Sequence, residues 1–158
     1  MPAVSFKKAV SLSVHQAFAI ASDVASYKDF LPLITRSTVR GAAIEVGDVK
    51  TFIADLIVAY EKLGLRESFA SQVECNQTLG RVTATSQDGP MRQLKAQWQI
   101  TAIDGARSTV AIDIDYEFRS KLMQLAAGSL MHRAAAKVLE AFEQRGRTLY
   151  PETALPNI

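Results

Sequence analysis

Between residues 35 and 118, apolar and polar side chains alternate with a period of two, and this pattern most restricts the folds open to the chain. In the clearest run, residues 110–118, five apolar side chains share one face and three carboxylates share the other. Alternation of this kind predicts antiparallel strands with one covered and one solvated face. Glycine-containing turn dipeptides separate the runs, so we expect about six strands here and one more over residues 4–12.

Helical signals flank the strand region on both sides. Ser13 and Gln16 have the spacing of a capping box, which predicts a helix over residues 14–24, and a second short turn should end before Pro32. At the other end, residues 120–149 contain no proline, and apolar side chains recur there three or four positions apart. This predicts one long C-terminal helix whose buried stripe consists of Met123, Ala127, Leu130, Ala134, Val138 and Ala141.

The predicted order is a strand, two short helices, about six antiparallel strands and a long helix. The stripe of that helix is the only large apolar surface available to cover the sheet, so we predict an α+β fold with helices on one face. A length of 158 residues fits a single domain, which we place at residues 1–150, with a frayed tail over 151–158.

Composition and motifs exclude several classes of protein. Cys75 is the only cysteine, so an internal disulfide or a zinc finger is impossible and a reducing, cytoplasmic location is favoured. No stretch approaches the roughly 20 apolar residues of a membrane span, and residues 1–10 do not read as a secretory signal. The net charge of +2 is too small to point to DNA.

Catalytic and metal-binding patterns are missing from the sequence. It has no nucleophile elbow, phosphate-binding loop, dinucleotide fingerprint or zinc-protease motif. His15 and His132 have no partner by spacing. Asp113, Asp115 and Glu117 share the polar face of one strand, where cross-strand pairing with Arg and Lys is the expected role. We therefore expect neither a catalytic residue nor a metal site.

The positive charge is concentrated at the C-terminal end. Residues 119–158 carry a net charge of +3, whereas the rest of the chain carries −1. One interpretation is a solvated helix face, and another is a docking surface for phosphate on lipid headgroups or RNA. The cations concerned are Arg119, Lys121, Arg133, Lys137, Arg145 and Arg147.

Three segments and one tryptophan carry a resemblance to a known family. The segments are residues 27–33 (YKDFLPL), 116–123 (YEFRSKLM) and 138–143 (VLEAFE), and the tryptophan is Trp98. With these, residues 3–148 resemble the coenzyme Q-binding START-like family, within the helix-grip group of polyketide cyclases and lipid-transfer domains. The resemblance implies a curved antiparallel sheet of about seven strands around the long helix, with a hydrophobic tunnel between them.

The resemblance also implies a function. It implies non-catalytic binding of ubiquinone or a related isoprenoid lipid in support of respiration, with no covalent cofactor and possible peripheral contact with the anionic inner face of a bacterial membrane. Family members often carry an aromatic residue where this chain has Leu33, a difference that concerns the shape of the tunnel mouth. Mitochondrial members carry a targeting extension that is missing here, so a bacterial protein is expected. The same family contains bacterial toxins that block the association of ribosomal subunits, and the motifs do not separate the two functions.

Strand parity and the resemblance together assign the tunnel lining. From parity alone, a tunnel and a filled core remain equally open. A third function, polyketide cyclase or aromatase, needs polar groups in the tunnel, and the inward faces supply only Tyr116 and Ser129. The expected tunnel residues are Leu31, Leu33, Phe52, Leu56, Val58, Leu65, Phe69, Leu94, Trp98, Ile112, Tyr116, Met123, Leu130 and Ala134.

Overall fold

A computed structural model describes residues 3–60 and 64–151 of the chain. Of the predicted frayed tail, residues 152–158 lie outside the described residues. The elements are β1 (Ala3–Val10), α1 (Val14–Ser22), a 3-10 helix (Val24–Asp29), β2 (Ile34–Val46), β3 (Val49–Tyr60), β4 (Leu65–Asn76), β5 (Arg81–Ser86), β6 (Met91–Ala102), β7 (Ser108–Phe118) and α2 (Lys121–Leu149).

The strands form one sheet of seven in the order β1-β7-β6-β5-β4-β3-β2, and every neighbouring pair is antiparallel. The strands from β2 to β7 follow one another as a meander, whereas β1 pairs with β7 at one edge. Gly47 has a φ of +59° in the turn between β2 and β3, a conformation that glycine adopts without steric cost. The predicted α+β helix-grip fold is confirmed.

The polar face of the sheet carries one of the cross-strand ion pairs that the sequence predicts. The Nε atom of Arg92 is 3.3 Å from the Oε2 atom of Glu117. Lys95 of β6 lies opposite Asp115 of β7 in register, and the Asp113 carboxylate accepts from the Ser5 hydroxyl. The Arg92–Glu117 pair is solvent-exposed, so it contributes little to the free energy of unfolding.

Local capping defines where the helices begin. The Ser13 hydroxyl accepts from the backbone N–H of Gln16 at 3.1 Å, and the Gln16 side chain accepts from the Ser13 N–H at 3.0 Å, which completes the predicted capping box. The Ser120 hydroxyl likewise accepts from the Met123 N–H at 3.2 Å, so α2 begins immediately after β7.

The buried stripe of α2 differs from the predicted one. Ala127 and Leu130 are buried as predicted, but beyond them the buried positions move by one residue to Ala135, Leu139, Phe142 and Gly146. The predicted Ala134, Val138 and Ala141 are half-buried instead. The shift arises because α2 packs mainly against β1, β7 and α1, which leaves the flank of its stripe facing an open space in front of the other strands.

Candidate ligand-binding cavity

An apolar cavity of about 200 Å³ lies between the inward face of the sheet and α2. Its walls come from the 3-10 helix and the loop that follows it, from strands β2 to β7, and from the middle of α2. Among the lining residues that the structure describes, only Tyr27, Ser71 and Trp98 have polar side chains. The cavity is therefore suited to an apolar guest with very few hydrogen-bonding groups.

The lining contains both half-buried and buried residues. The half-buried Leu33, Val58, Met131 and Val138 come from the loop, the end of β3 and α2, and we call them the rim. A second half-buried group lies on β5, β6 and β7 and consists of Ala84, Leu94, Ala96 and Ile114. We call the buried Ser71, Val73, Val82, Trp98 and Ile112 the floor.

Nine of the fourteen predicted tunnel residues line this cavity: Leu31, Leu33, Leu56, Val58, Phe69, Leu94, Trp98, Ile112 and Ala134. The side chain of the predicted Leu65 lies outside the described residues.

The other four predicted residues lie elsewhere in the fold. Tyr116 packs with Met91 and Ala127 in a separate cluster, because the small Ala127 side chain lets the start of α2 approach the sheet there. Phe52 belongs to the main core, Leu130 is buried beside the cavity without lining it, and Met123 is half-buried in the first turn of α2.

Several lining residues are not among the fourteen expected tunnel residues. Val82 and Ala84 of β5 follow the same alternation as the predicted strands. Met131 and Val138 lie three and four positions from Ala134 on α2, at helical spacing. The sequence pattern therefore indicates an inward position for all four. Tyr27 carries no such signal, because it reaches the cavity from the 3-10 helix, and only the tertiary structure fixes where that helix lies.

A buried hydrogen-bonded chain holds the floor of the cavity in place. The indole N–H of Trp98 donates to the Tyr27 hydroxyl oxygen at 3.0 Å, and that hydroxyl donates to the carbonyl of Ala21. Burial raises the pKa of Tyr27 far above its ordinary value, more than the Trp98 hydrogen bond lowers it. Tyr27 is thus a neutral structural link between the 3-10 helix and β6, and its proton is not available for acid–base chemistry near neutral pH.

The loop at the rim contains a backbone conformation that is unusual for leucine. Leu33 has a φ of 71°, in the left-handed region, and its carbonyl accepts from the N–H of Ala59 at 2.8 Å. Such a conformation costs a non-glycine residue about 1–2 kcal/mol. The hydrogen bond ties the loop to β3 and directs the Leu33 side chain to the rim.

The remaining reactive side chains lie away from the cavity. Cys75 is buried in β4, and burial raises the pKa of its thiol to about 11. The ring of His132 stacks edge-on against Phe6, with 5.1 Å between the ring centroids. Neither residue lines the cavity, and the described residues contain no cluster of three or more potential metal ligands.

The outward side of α2 combines exposed leucines with positive charge. Leu122 is 77% exposed and Leu125 is 82% exposed. No acidic residue occurs between Glu117 and Glu140. We call the exposed Lys121, Leu122, Leu125, Arg133 and Lys137 the α2 outer face.

The other predicted phosphate-binding cations make internal contacts. Arg119 donates to the carbonyls of Gly89 and Gln87, the Arg145 guanidinium lies 5.3 Å from the centroid of the Phe30 ring, and Arg147 pairs with Glu143. None of the described helices has the length and hydropathy required to cross a bilayer.

The fold and the cavity define a helix-grip domain, in which a long C-terminal helix closes an antiparallel sheet over an apolar space. The profile of the family described as polyketide cyclase / dehydrase and lipid transport matches residues 10–143, and the chain belongs to this family. The START-like resemblance is thereby confirmed. Because the family description includes both cyclases and lipid transport, membership alone does not decide between catalysis and binding.

Named relatives fall into two functional groups. The chain is 29% identical over 152 residues to the ribosome association toxin RatA of Vibrio cholerae, which covers 96% of this chain and 100% of the relative. It is 30% identical over 131 residues to the mitochondrial coenzyme Q-binding protein coq10 of Schizosaccharomyces pombe, with 82% and 77% covered. A START superfamily protein from Mycobacterium smegmatis has the same fold, with a TM-score of 0.78 at 20% identity over 93% of this chain and 98% of that one.

Proposed function

We propose that the protein binds ubiquinone or a related isoprenoid quinone in the cavity and carries it to membrane-bound respiratory enzymes. The observation that carries the proposal is a cavity between the sheet and α2 whose described lining residues are apolar apart from Tyr27, Ser71 and Trp98. Burial of a ligand's apolar surface there gains about 25 cal/mol per Å² removed from water. The relative named as a coenzyme Q-binding protein supports the choice of quinone.

The cavity volume supports binding of the ligand's ring inside the cavity, with most of its tail outside. An engineered apolar cavity of about 150 Å³ holds one benzene molecule, so the 200 Å³ cavity offers room for one substituted ring. A polyprenyl tail would then leave through the rim at Leu33 and Met131. The protein would shield the ring from water and leave most of the tail to the membrane or to the surface of α2.

The proposal is for binding without catalysis. No carboxylate, imidazole, amine or thiol is found among the described lining residues. The Tyr27 hydroxyl already accepts a hydrogen bond from Trp98 and donates one to the Ala21 carbonyl. Among the described lining residues, a cyclase or aromatase would therefore find no side chain of the usual acid–base type. The third function considered from the sequence is therefore the least supported.

A fluorescence titration tests the proposal directly. Trp98 is the only tryptophan in the chain and lines the cavity, so its emission reports on that space alone. A short-chain ubiquinone should quench it to saturation, whereas free N-acetyltryptophanamide should be quenched without saturation. Mass spectrometry of organic extracts of the purified protein should also detect a quinone. Quenching that never saturates, together with quinone-free extracts, would rule out the proposal.

Transfer of a quinone also requires contact with a membrane, and the α2 outer face supports this part of the proposal. Exposed leucines beside lysine and arginine suit the interface of an anionic bilayer, such as the inner face of a bacterial membrane. Replacing Leu122 and Leu125 with serine should weaken binding to vesicles containing phosphatidylglycerol by at least tenfold, since each buried leucine is worth about 1.5–3 kcal/mol.

A matched control is available on the hairpin between β2 and β3. Ile44 and Val46 are 68% and 73% exposed, but they lie beside Glu45 and Asp48. Serine at these two positions should leave vesicle binding unchanged. Equal losses in the two double variants would show that hydrophobic exposure in general, and not the α2 outer face, drives binding.

Binding to a ribosomal subunit is a second candidate function. Relatives named ribosome association toxin match nearly the whole chain, and Lys121, Arg133 and Lys137 are exposed for contact with RNA phosphate. If these three cations alone neutralise phosphates, the logarithm of the affinity should fall with the logarithm of the salt concentration with a slope of about −2 to −3. Co-sedimentation with purified subunits, measured across a salt series, tests this. Absence of co-sedimentation at low salt would exclude it.

A further inference from the structure

Ser71 is a buried hydroxyl without a hydrogen-bond partner among the described residues. It is 1% exposed, lies on the inward face of β4 between Phe69 and Val73, and lines the cavity. Among the described lining residues, the only other polar side chains belong to Tyr27 and Trp98. These two bond to each other and to the Ala21 carbonyl, so neither pairs with Ser71.

The other buried serines behave differently. Ser37 donates to the Ala25 carbonyl at 2.9 Å, Ser86 to the Ala70 carbonyl at 2.6 Å, and Ser108 to the Leu12 carbonyl at 2.9 Å. Each of these hydroxyls joins two segments of the chain. An unpaired buried hydroxyl is disfavoured because it has left water and gained no partner. Ser71 therefore has the burial of a structural serine without a structural bond.

We infer that the Ser71 hydroxyl donates a hydrogen bond to an oxygen atom on the ring of the cavity's ligand. The inference rests on the proposed function and narrows its ligand class to a six-membered ring that carries an accepting oxygen, such as a quinone carbonyl, in an otherwise apolar body. A purely hydrocarbon guest would leave the hydroxyl unpaired, and a guest with several charged or polar groups would leave those groups unpaired.

The position of Ser71 is compatible with a ligand tail that leaves at the rim. Ser71 pairs in register with Ala54, and Val58 at the rim lies four residues farther along β3. At about 3.4 Å per residue, these two positions of β3 are about 14 Å apart along the strand. A ring whose oxygen bonds to Ser71 can therefore extend a tail from its far side toward Leu33 and α2.

Two probes of matched shape test the inference. Duroquinone, tetramethyl-1,4-benzoquinone, has two carbonyl oxygens, whereas durene, 1,2,4,5-tetramethylbenzene, has the same ring and methyl groups without them. The parent protein should bind duroquinone more tightly than durene, measured by thermal shift and by displacement. Ser71→Ala should weaken duroquinone binding by about three- to tenfold, the usual range for one neutral hydrogen bond, and should leave durene binding unchanged or tighter.

The melting temperature provides a second readout, and it should change differently in Ser71→Ala and in the control variant Ser86→Ala. Removal of an unpaired hydroxyl should leave the melting temperature of the ligand-free Ser71→Ala protein unchanged or higher. Ser86→Ala removes a satisfied hydroxyl outside the cavity, so it should lower the melting temperature and leave the duroquinone preference intact. Ser71→Cys, which keeps the shape with a weaker donor, should give an intermediate affinity and serves if the alanine variant does not fold.

The outcomes distinguish failure of the proposed function from failure of the inference about Ser71. If the parent binds neither probe, the proposed function fails. If the parent binds duroquinone and Ser71→Ala binds it equally well, or if the parent shows no preference over durene, the cavity binds a ligand but Ser71 is not its anchor. Loss of the preference in Ser71→Ala, with its melting temperature maintained, supports the inference.

Discussion

Replacing Ala134 with phenylalanine places an aromatic ring in the cavity and separates an open guest site from a filled core. Ala134 is half-buried on the flank of α2 that lines the cavity. Since about 150 Å³ accommodates a benzene molecule, the new ring would occupy most of the 200 Å³ that a ligand would otherwise use.

The expected change in stability follows from two opposing effects. Burial of the ring favours the folded state by about 1.5–3 kcal/mol. Adjustment of the surrounding side chains costs about 1–3 kcal/mol. These contributions largely cancel, so the free energy of unfolding should stay within about 2 kcal/mol of the parent value, and the melting temperature within about 8 °C. Binding of a short-chain ubiquinone, measured by Trp98 quenching, should fall at least tenfold.

Two further alanine-to-phenylalanine variants provide the reference points. Ala21 is fully buried in α1 and does not line the cavity, so phenylalanine there should overpack the core and lower the melting temperature far more. Ala136 is exposed on α2, so phenylalanine there should preserve both stability and binding. If Ala134→Phe is as destabilising as Ala21→Phe and leaves quenching unchanged, the cavity is a filled core and the binding proposal is refuted.

Other consequences of the structure can be checked independently. An alanine Cβ at the exposed Gly128 would meet nothing within 4 Å, so Gly128→Ala should raise the free energy of unfolding by about 0.5–1 kcal/mol in urea titrations. The same change at Gly146 would bring a Cβ to 2.7 Å from the Leu12 side chain, so it should lower that free energy by about 1–3 kcal/mol; a gain there would contradict the close packing of α2. Leu33→Gly removes the cost of a positive φ and should change the free energy of unfolding by less than about 1 kcal/mol, despite the lost side chain. Burial raises the pKa of the Cys75 thiol to about 11, so iodoacetamide should label it slowly at pH values below about 9 in the folded protein and rapidly in urea. Because the unfolded thiol loses its proton first as the pH rises, stability should also fall above about pH 9, and Cys75→Ala should remove that part of the dependence.

The sheet and the helices are the parts of the structure that the sequence alone determined. Alternation with period two marked the inward and outward faces of the strands, because successive side chains of a strand point to opposite sides. The capping box at Ser13 and the absence of proline in residues 120–149 depend on contacts a few positions apart in the chain. Such local patterns can be interpreted from the sequence without knowledge of the tertiary structure.

Only the tertiary structure decided which inward side chains meet open space. Trp98 and Tyr116 lie on the inward faces of neighbouring strands, yet Trp98 lines the cavity and Tyr116 packs against Ala127. Parity fixes the face of a side chain, but the distance from that face to α2 depends on where the helix lies. The same holds for Ser71, because its place between Phe69 and Val73 predicts burial but does not reveal that none of the described residues is its hydrogen-bond partner. A cavity and an unpaired hydroxyl are properties of the gap between elements, and that gap is set by the packing of segments far apart in the sequence.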